Sequence, residues 1–542
     1  MRLLQANLAE LPAALARAIE RADNRHDEVV VEARDGSPVN GLARPRRPAL
    51  FHSGYAPLRE AGRLADTAEG AGFVVVLGMG LAYHVRAILR RGRRVLLVEP
   101  DLRLVRSALE RVDITDLLRS GSLAIADPED LDRAIPARYV PAVHGDLAVV
   151  ELPGRVSAEP HAFVPLRDTI GRVVERLRSD LAVQAKFGLR WMRNTILNVP
   201  NAHTLPLPEW QGRPVRVAAA GPSLADSIPE LAAASSAALV AVDTALPVLL
   251  AHGVRPDIVV SIDCQLPTYH HYLAAGFPRI PVAAELSLPP SLFARIEVRH
   301  PLRSDHPLHT LLRLLGLDLP YLDARGGNVT QAAVDLAARL GAAAIGVYGA
   351  DFSYPDGETY PRASYVHRLF DADASRLNPA STRHYGFLLD RPGVRRDEDE
   401  PTRWVQPLLS GYAEAFSAFA ASLPTRVTRV AGRGIPVASH EASRSAIARG
   451  EPHGPNARSP EARDLLRSLR AAIHEVSQPS VFVRTLEHPS EEAPAAAARA
   501  LLPALTHLRA TDEALPFDAL LSRVRGFVDR YVDAALDRCD GE

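Results

Sequence analysis

A chain of 542 residues is too long for one compact domain and leads us to expect two to four. Hydrophobic residues make up 47%, enough for several cores, which excludes global disorder. A net charge of −1 excludes bulk electrostatic binding to nucleic acid or anionic lipid.

Two cysteines, Cys264 and Cys539, provide neither a disulfide framework nor a thiolate metal cluster, and fit a reducing compartment. The N-terminal stretch MRLLQANLAELPAALARAIERAD has helical spacing with acids among its apolar residues, unlike a secretory signal. No apolar run approaches the roughly 20 residues that span a bilayer. The expectation is a soluble cytoplasmic protein. Arg is plentiful and Lys nearly absent, which a GC-biased genome explains without a functional surplus.

Glu28–Ala33 reads as a β patch, followed by a DGSPVNG turn. Phe73–Leu77 then runs into Gly78-Met79-Gly80, a helix over Val85–Arg91, and a strand over Arg94–Val98 that ends in Glu99-Pro100-Asp101. This is half of a Rossmann-like βαβ unit. Its glycines let a ligand approach a helix N-terminus, and its acid is placed to accept a ribose hydroxyl. The turn lacks the third glycine, so a scaffold-only unit is an equal reading, and His84 reads as a packing or capping residue.

Residues 153–165 are proline-rich and mark a boundary. Leu166–Asn198 reads as a long amphipathic bridging helix, after which Pro200, Pro206, Pro208 and Pro214 hold the chain extended.

Three apolar runs follow, each ending on unusual residues. Val215–Ala220 stops at Gly221-Pro222-Ser223, Ala238–Val242 at Asp243, and Ile258–Ile262 at Asp263. Helical spacing separates them, which indicates a doubly wound parallel sheet, and ligands bind outside the carboxyl ends of such strands. Gly221 permits a tight turn, Pro222 offers no amide hydrogen, and Ser223 can cap the next helix or donate to a phosphate. Asp243 and Asp263 can hold ribose hydroxyls, an exocyclic amine or a divalent cation, or serve as helix caps.

Ile280–Glu285 reads as a strand and Pro307–Leu315 as a helix. Gly326-Gly327-Asn328, with Gln331 three residues on, has capping-box spacing before the helix Val329–Leu340. The strand Ala344–Tyr348 leads to Gly349-Ala350-Asp351. Two helix N-termini and three carboxylates at one sheet edge suit a phosphate-bearing nucleotide. The stretch after Asp351 reads as a polar lid loop carrying Tyr354, Tyr360, Tyr365, His367, His384 and Tyr385, with His367 or His384 as candidate general base. Trp404–Ala421 reads as a helix, Val427–Val437 as an edge strand with a glycine turn, and residues 455–542 as mostly helical.

The segments GPSL, AVDTALPVLLAHGVRPDIVVSID and GGNVTQAAVDLAARLGAAAIGVYGADF, with GMGLAYHV and LLVEPD upstream, resemble the motility-associated factor (Maf) family. That family is also likened to the archaeal 6-hydroxymethylpterin diphosphokinase (MptE-like) domain. The resemblance implies an α/β chain: an N-terminal Rossmann-like domain (1–165), a bridging helix and linker (166–205), a central sialyltransferase-like domain (206–445) and a C-terminal helical region (446–542). It implies transfer of a nonulosonic acid of the pseudaminic or legionaminic type from a CMP-sugar to Ser or Thr of flagellin. By position, Gly221, Pro222, Ser223, Asp243, Asp263, Gly326, Gly327, Asn328 and Asp351 line the nucleotide pocket; no family position aligns a catalytic His, so His367 and His384, read from the lid, join Asp351 as the catalytic candidates. Asn328 stands where the family often has Ser, a change that keeps a cap and bears on substrate choice.

No metal ligand and no resident cofactor is expected for such a transferase. A second reading is pyrophosphoryl transfer from ATP, with Mg²⁺ held by Asp243, Asp263 or Asp351. A third is a non-catalytic flagellin adaptor. No nucleic-acid or membrane partner is expected, and homo-oligomerisation is left open.

Overall fold

The computed structural model describes residues 2–203, 205–372, 374–430, 432–437, 439, 460–487, 490–512 and 515–540. The expected 445/446 boundary lies outside them. The chain forms two compact units. One comprises Met1–Lys186, Pro479–Pro489 and Leu502–Leu521, the other Phe187–Gln478, Ser490–Leu501 and Ser522–Glu542. Their division falls inside the long helix Val164–Asn198 rather than at 165/166, and the helical tail is shared between units instead of forming a domain of its own. No described helix is long and apolar enough to cross a membrane.

In the first unit, β1 (Glu28–Glu32), β2 (Pro38–Leu42) and β3 (Ala49–Leu50) make a small antiparallel sheet. The parallel sheet contains β4 (Ala71–Leu77), β5 (Arg94–Val98), β6 (Leu123–Ala126) and β7 (Asp146–Glu151), in the order β6-β5-β4-β7. Its central strands are continuous apolar runs because both faces are covered, by Leu4, Val85 and Val105 on one side and Ile135, Phe163 and Ile170 on the other. The proline-rich stretch is not a linker. It folds as the helix Pro153–Ala158 and the turn Pro160–Ala162, and buries Arg155 and Phe163 completely.

The second unit is built on a seven-stranded all-parallel sheet. Its strands are β8 (Pro214–Ala218), β9 (Ala238–Val242), β10 (Ile258–Ser261), β11 (Val282–Glu285), β12 (Arg299–Leu302), β13 (Ala344–Tyr348) and, later in the chain, Arg426–Arg429. The doubly wound prediction holds. The chain starts in the middle at β8, winds outward through β9 to β12, then returns to the other side of β8 with β13. β9 and β10 are buried at every residue.

Two expectations change downstream. The lid is not a loop. It contains the short strand β14 (Tyr354–Pro355) and the helices Tyr365–Ala372 and Ala380–Leu389. The helix expected from Trp404 begins at Pro407, because Arg403–Val405 is a strand, β16. It pairs with β14 and with β15 (Arg395–Arg396) in a three-stranded antiparallel sheet. The edge strand Arg426–Arg429 is then β17.

Candidate functional site

The order of the large sheet puts its topological switch between β8 and β13, where an open α/β sheet forms its crevice. Gly221-Pro222-Ser223 leaves β8 and Asp351 follows β13, so these residues meet there. The Ser223 N–H donates to Asp351 Oδ2 at 2.7 Å. A Cβ on Gly221 would lie 2.5 Å from the Gly349 carbonyl oxygen and closer still to Asp351 Oδ2.

A third strand end closes over them. The Arg433 N–H donates to Ser223 Oγ at 2.8 Å, and a Cβ on Gly432 would sit 3.0 Å from that hydroxyl. Arg433 is fastened by its side chain to Asp226 and Asp356. Ser223 therefore does not cap its helix, as expected, but receives the glycine turn, while Asp351 supplies the negative charge at the helix N-terminus. Asp351 is 2% exposed and holds a turn, so its geometry is that of a positioning residue rather than the catalytic group expected.

One strand over, at the carboxyl ends of β9 and β10, a second cluster forms. Asp243 is buried, its Oδ1 accepting from Thr244 N at 2.7 Å and its Oδ2 from Ser261 Oγ at 2.6 Å. Asp263 faces solvent at its edge and accepts from the Gln265 N–H at 2.9 Å. Crowding by protein raises the Asp263 carboxyl above its usual range. The Gln265 N–H opposes that rise, and the Asp243 charge adds to it.

Behind them His271 is buried. Its Nε2 lies 3.5 Å from Thr244 Oγ1, and its Nδ1 has no hydrogen-bond partner. Burial holds His271 below its ordinary value, against the pull of Asp243 and Asp263. Tyr365 packs edge-on to His271 at 5.7 Å and stacks on His270 at 5.0 Å. Tyr360 and Tyr412 border the acids. Burial raises both phenols, Asp243 and Asp263 adding to the rise in Tyr360 and Asp263 in Tyr412.

The glycine-asparagine corner reaches the same edge. In a parallel sheet the connecting helix runs against its strand, so the N-terminus of Val329–Arg339 lies at the carboxyl ends. Tyr412 joins this corner to the acids, since a Cβ on Gly327 would be 3.1 Å from its ring. Asn328 Oδ1 accepts from Gln331 N at 2.9 Å, the first half of a capping box. The second half is not made. Gln331 folds over Gly326 instead, where a Cβ would meet its amide nitrogen at 2.6 Å.

His367 and His384 face each other across the two lid helices with ring centroids 4.1 Å apart. His367 Nε2 lies 2.9 Å from the Tyr360 carbonyl oxygen, so that nitrogen supports the tyrosine backbone. Burial, then His367, lowers His384. Phe352, Asp356 and Ala363 all have positive φ (47°, 53° and 68°), so the lid backbone carries strain next to the cluster.

The sequence reading thus brings together two groups. Gly221, Pro222, Ser223 and Asp351 pack against one another, while Asp243, Asp263 and the Gly326-Gly327-Asn328 corner lie at the carboxyl-terminal edge of the same sheet. No hydrogen bond among the described residues joins the groups. His271 was missed, although it lies in the helix Leu266–Ala274 that directly follows Asp263. Tyr412 was missed as well, since its position comes only from the packing of the helix Pro407–Ala421.

In the first unit the Gly78-Met79-Gly80 turn is filled from within. A Cβ on Gly78 would be 3.0 Å from Arg155 Cγ, and one on Gly80 would be 2.5 Å from His52 Nε2. Glu99 is buried, accepts from the Met79 N–H at 3.1 Å and pairs with Arg155 at 2.8 Å. Asp101 caps the helix Leu102–Leu109 and pairs with Arg25. His84 is buried with Nε2 3.0 Å from the Gly78 carbonyl, the packing role expected. Scaffold, not ligand site, is the reading this geometry supports.

Residues 192–357, covering β8 to β14, match the family model of 6-hydroxymethylpterin diphosphokinase MptE-like proteins. Across 98% of its length the chain resembles the solved structure of the Maf glycosyltransferase from Magnetospirillum magneticum AMB-1, with a TM-score of 0.58 at 15% identity and 95% of that chain covered. The fold is therefore of the Maf type.

Three proteins of Treponema pallidum (strain Nichols), each described as uncharacterized, are similar in sequence. One is 29% identical over 176 residues, 31% of this chain and 83% of its own length. A second is 33% identical over 98 residues, 18% and 35%. A third is 28% identical over 216 residues, 39% and 45%. The chain thus spans most of the first relative and less than half of the other two.

Proposed function

We propose that this protein is a glycosyltransferase that moves a nonulosonic acid from its CMP-activated form to a Ser or Thr hydroxyl of flagellin. The observation that carries the reading is the solvent-facing Asp263, its carboxyl raised, beside a helix N-terminus at one sheet edge. The Gln331 amide is taken by Asn328 Oδ1, but the Val329 and Thr330 amides ahead of it have no carbonyl partner within the helix and suit the donor phosphate. The acceptor oxygen attacks the anomeric carbon as the bond from that carbon to the CMP phosphate oxygen breaks. The electron pair leaves with CMP, and the hydroxyl proton passes to Asp263. His271, neutral and buried behind it, positions Thr244 and the lid tyrosine Tyr365. A raised carboxyl is the better base near neutral pH; burial supplies most of that rise and the Asp243 charge adds to it.

The paired acids also favour a second reading. Asp243 and Asp263 would hold Mg²⁺ against the phosphates of ATP, as pyrophosphoryl transfer to a pterin requires. Thermal shift separates the two. A rise in Tm with CMP-nonulosonate that needs no Mg²⁺ is expected. A rise only with ATP plus Mg²⁺ would favour the kinase reading, and no rise with any nucleotide would favour a flagellin adaptor.

A further inference from the structure

The loop that begins at Asp263 continues into a different feature. Cys264, Gln265 and Leu266 line one wall of a cavity of about 940 Å³ in the second unit, and Arg190, Arg193 and Arg538 line another. Among the described residues no carboxylate lines it. Among the described residues no acid forms an ion pair with any of the three arginines, although the chain has 64 acids for its 63 basic residues. Arg193 donates only a long bond to Asn194 and Arg538 only a long bond to the Leu197 carbonyl, both 3.4 Å. Arg190 lies over the Phe187 ring and Arg193 over the Tyr531 ring, each at 5.7 Å, which pre-orients the two guanidinium forks.

Arg190 and Arg193 are three residues apart on one helix, so their Cβ atoms are about 5–6 Å apart and both forks can reach one diphosphate. Behind them the wall is firm. Asn194 is buried and donates to the carbonyls of Cys264 and Ser287 at 3.2 and 2.9 Å. Leu266, 57% exposed, and the prolines Pro267, Pro289 and Pro290 give the cavity an apolar side.

We infer that this cavity is a second ligand site, for an oligophosphate, with room on its apolar side for an attached nucleoside. Three guanidinium groups with no carboxylate partner among the described residues select adjacent phosphates, and the volume is that of a small-molecule site. The inference does not depend on the transferase reading.

Calorimetric titration of the full-length protein tests it, with inorganic pyrophosphate, CDP and ADP as separate probes at low and moderate salt. Saturable pyrophosphate binding that weakens with salt is expected. R190Q/R193Q and R538Q should each weaken it about tenfold or more, while D243N leaves it in place. Tighter binding of CDP or ADP than of pyrophosphate shows that the apolar side takes a nucleoside, and equal binding shows a bare oligophosphate site. All three arginines are exposed, so unchanged melting temperatures confirm folded variants. Absence of saturable heat with the wild type, binding unchanged in both arginine variants, or binding abolished by D243N alone would overturn the inference.

Discussion

The Ser223 N–H and Asp351 Oδ2, 2.7 Å apart, lock together the turns that leave β8 and β13 at the switch point of the large sheet. The bond gives Asp351 an architectural role, and the proposed chemistry falls to Asp263 instead. D351A strands a buried amide and should cost about 1–3 kcal/mol in urea unfolding. D351N keeps an acceptor and should retain most stability and activity. A catalytic carboxylate would lose activity equally in both variants. G221A places a Cβ against backbone that cannot yield, and should be destabilised by about 1–3 kcal/mol.

The pH dependence of transfer follows from Asp263. Its carboxyl is raised, so the basic form appears only above the ordinary carboxylate range, and kcat/KM should rise with pH through that raised value. D243N removes a like charge that contributes to the rise, and should move the ascending limb to lower pH. D263N should abolish transfer at every pH. A limb that stays in place in D243N would show that the two carboxylates do not sense each other.

Stability should fall in acid for a separate reason. His84 in the first unit and His309 in the second are each fully enclosed, and burial pushes both down to about 3. Their folded values lie below the unfolded value near 6.5, so the unfolded chain takes up protons first as pH falls. Stability is complete above that value and is lost on the way down, by about 2 kcal/mol per histidine at pH 5. Denaturant midpoints between pH 7 and 5 measure the loss. H309N should flatten the profile of the second unit, and an unchanged slope would contradict the assignment.

Arg155 and Glu99 form a buried pair at 2.8 Å beneath the turn that looked like a dinucleotide site. R155M leaves Glu99 charged and unpaired, and should cost about 3–5 kcal/mol. It should leave nucleotide binding by the second unit unchanged. Loss of binding without loss of stability would revive a ligand role for the first unit.

Much of the fold was legible because parallel strands buried on both faces read as short apolar runs. β5 and β13 appear at the predicted residues, and β8 to β11 within two residues of them. The acids and glycines at their ends were legible for the same reason, since strand termini are where such runs break. Side-chain partners were not. Gly78 and Gly221 look alike in sequence, yet Arg155 fills the space over one and Asp351 the space over the other, and both partners come from distant segments. The lid helices escaped because Tyr365–Ala372 and Ala380–Leu389 are short and set among Pro, Asp, Ser and Asn residues that read as loop. His271 escaped because burial beside Asp243 and Asp263, not its spacing, marks it out.

The proposed transfer of a sugar to flagellin rests on Asp263 and the Asn328-capped helix. The most direct measurement is the intact mass of purified flagellin after incubation with this protein and CMP-nonulosonate. The account predicts a mass gain of one or more nonulosonate residues with the wild type and none with D263N. Flagellin of unchanged mass with the wild type, or an equal gain with D263N, would contradict it.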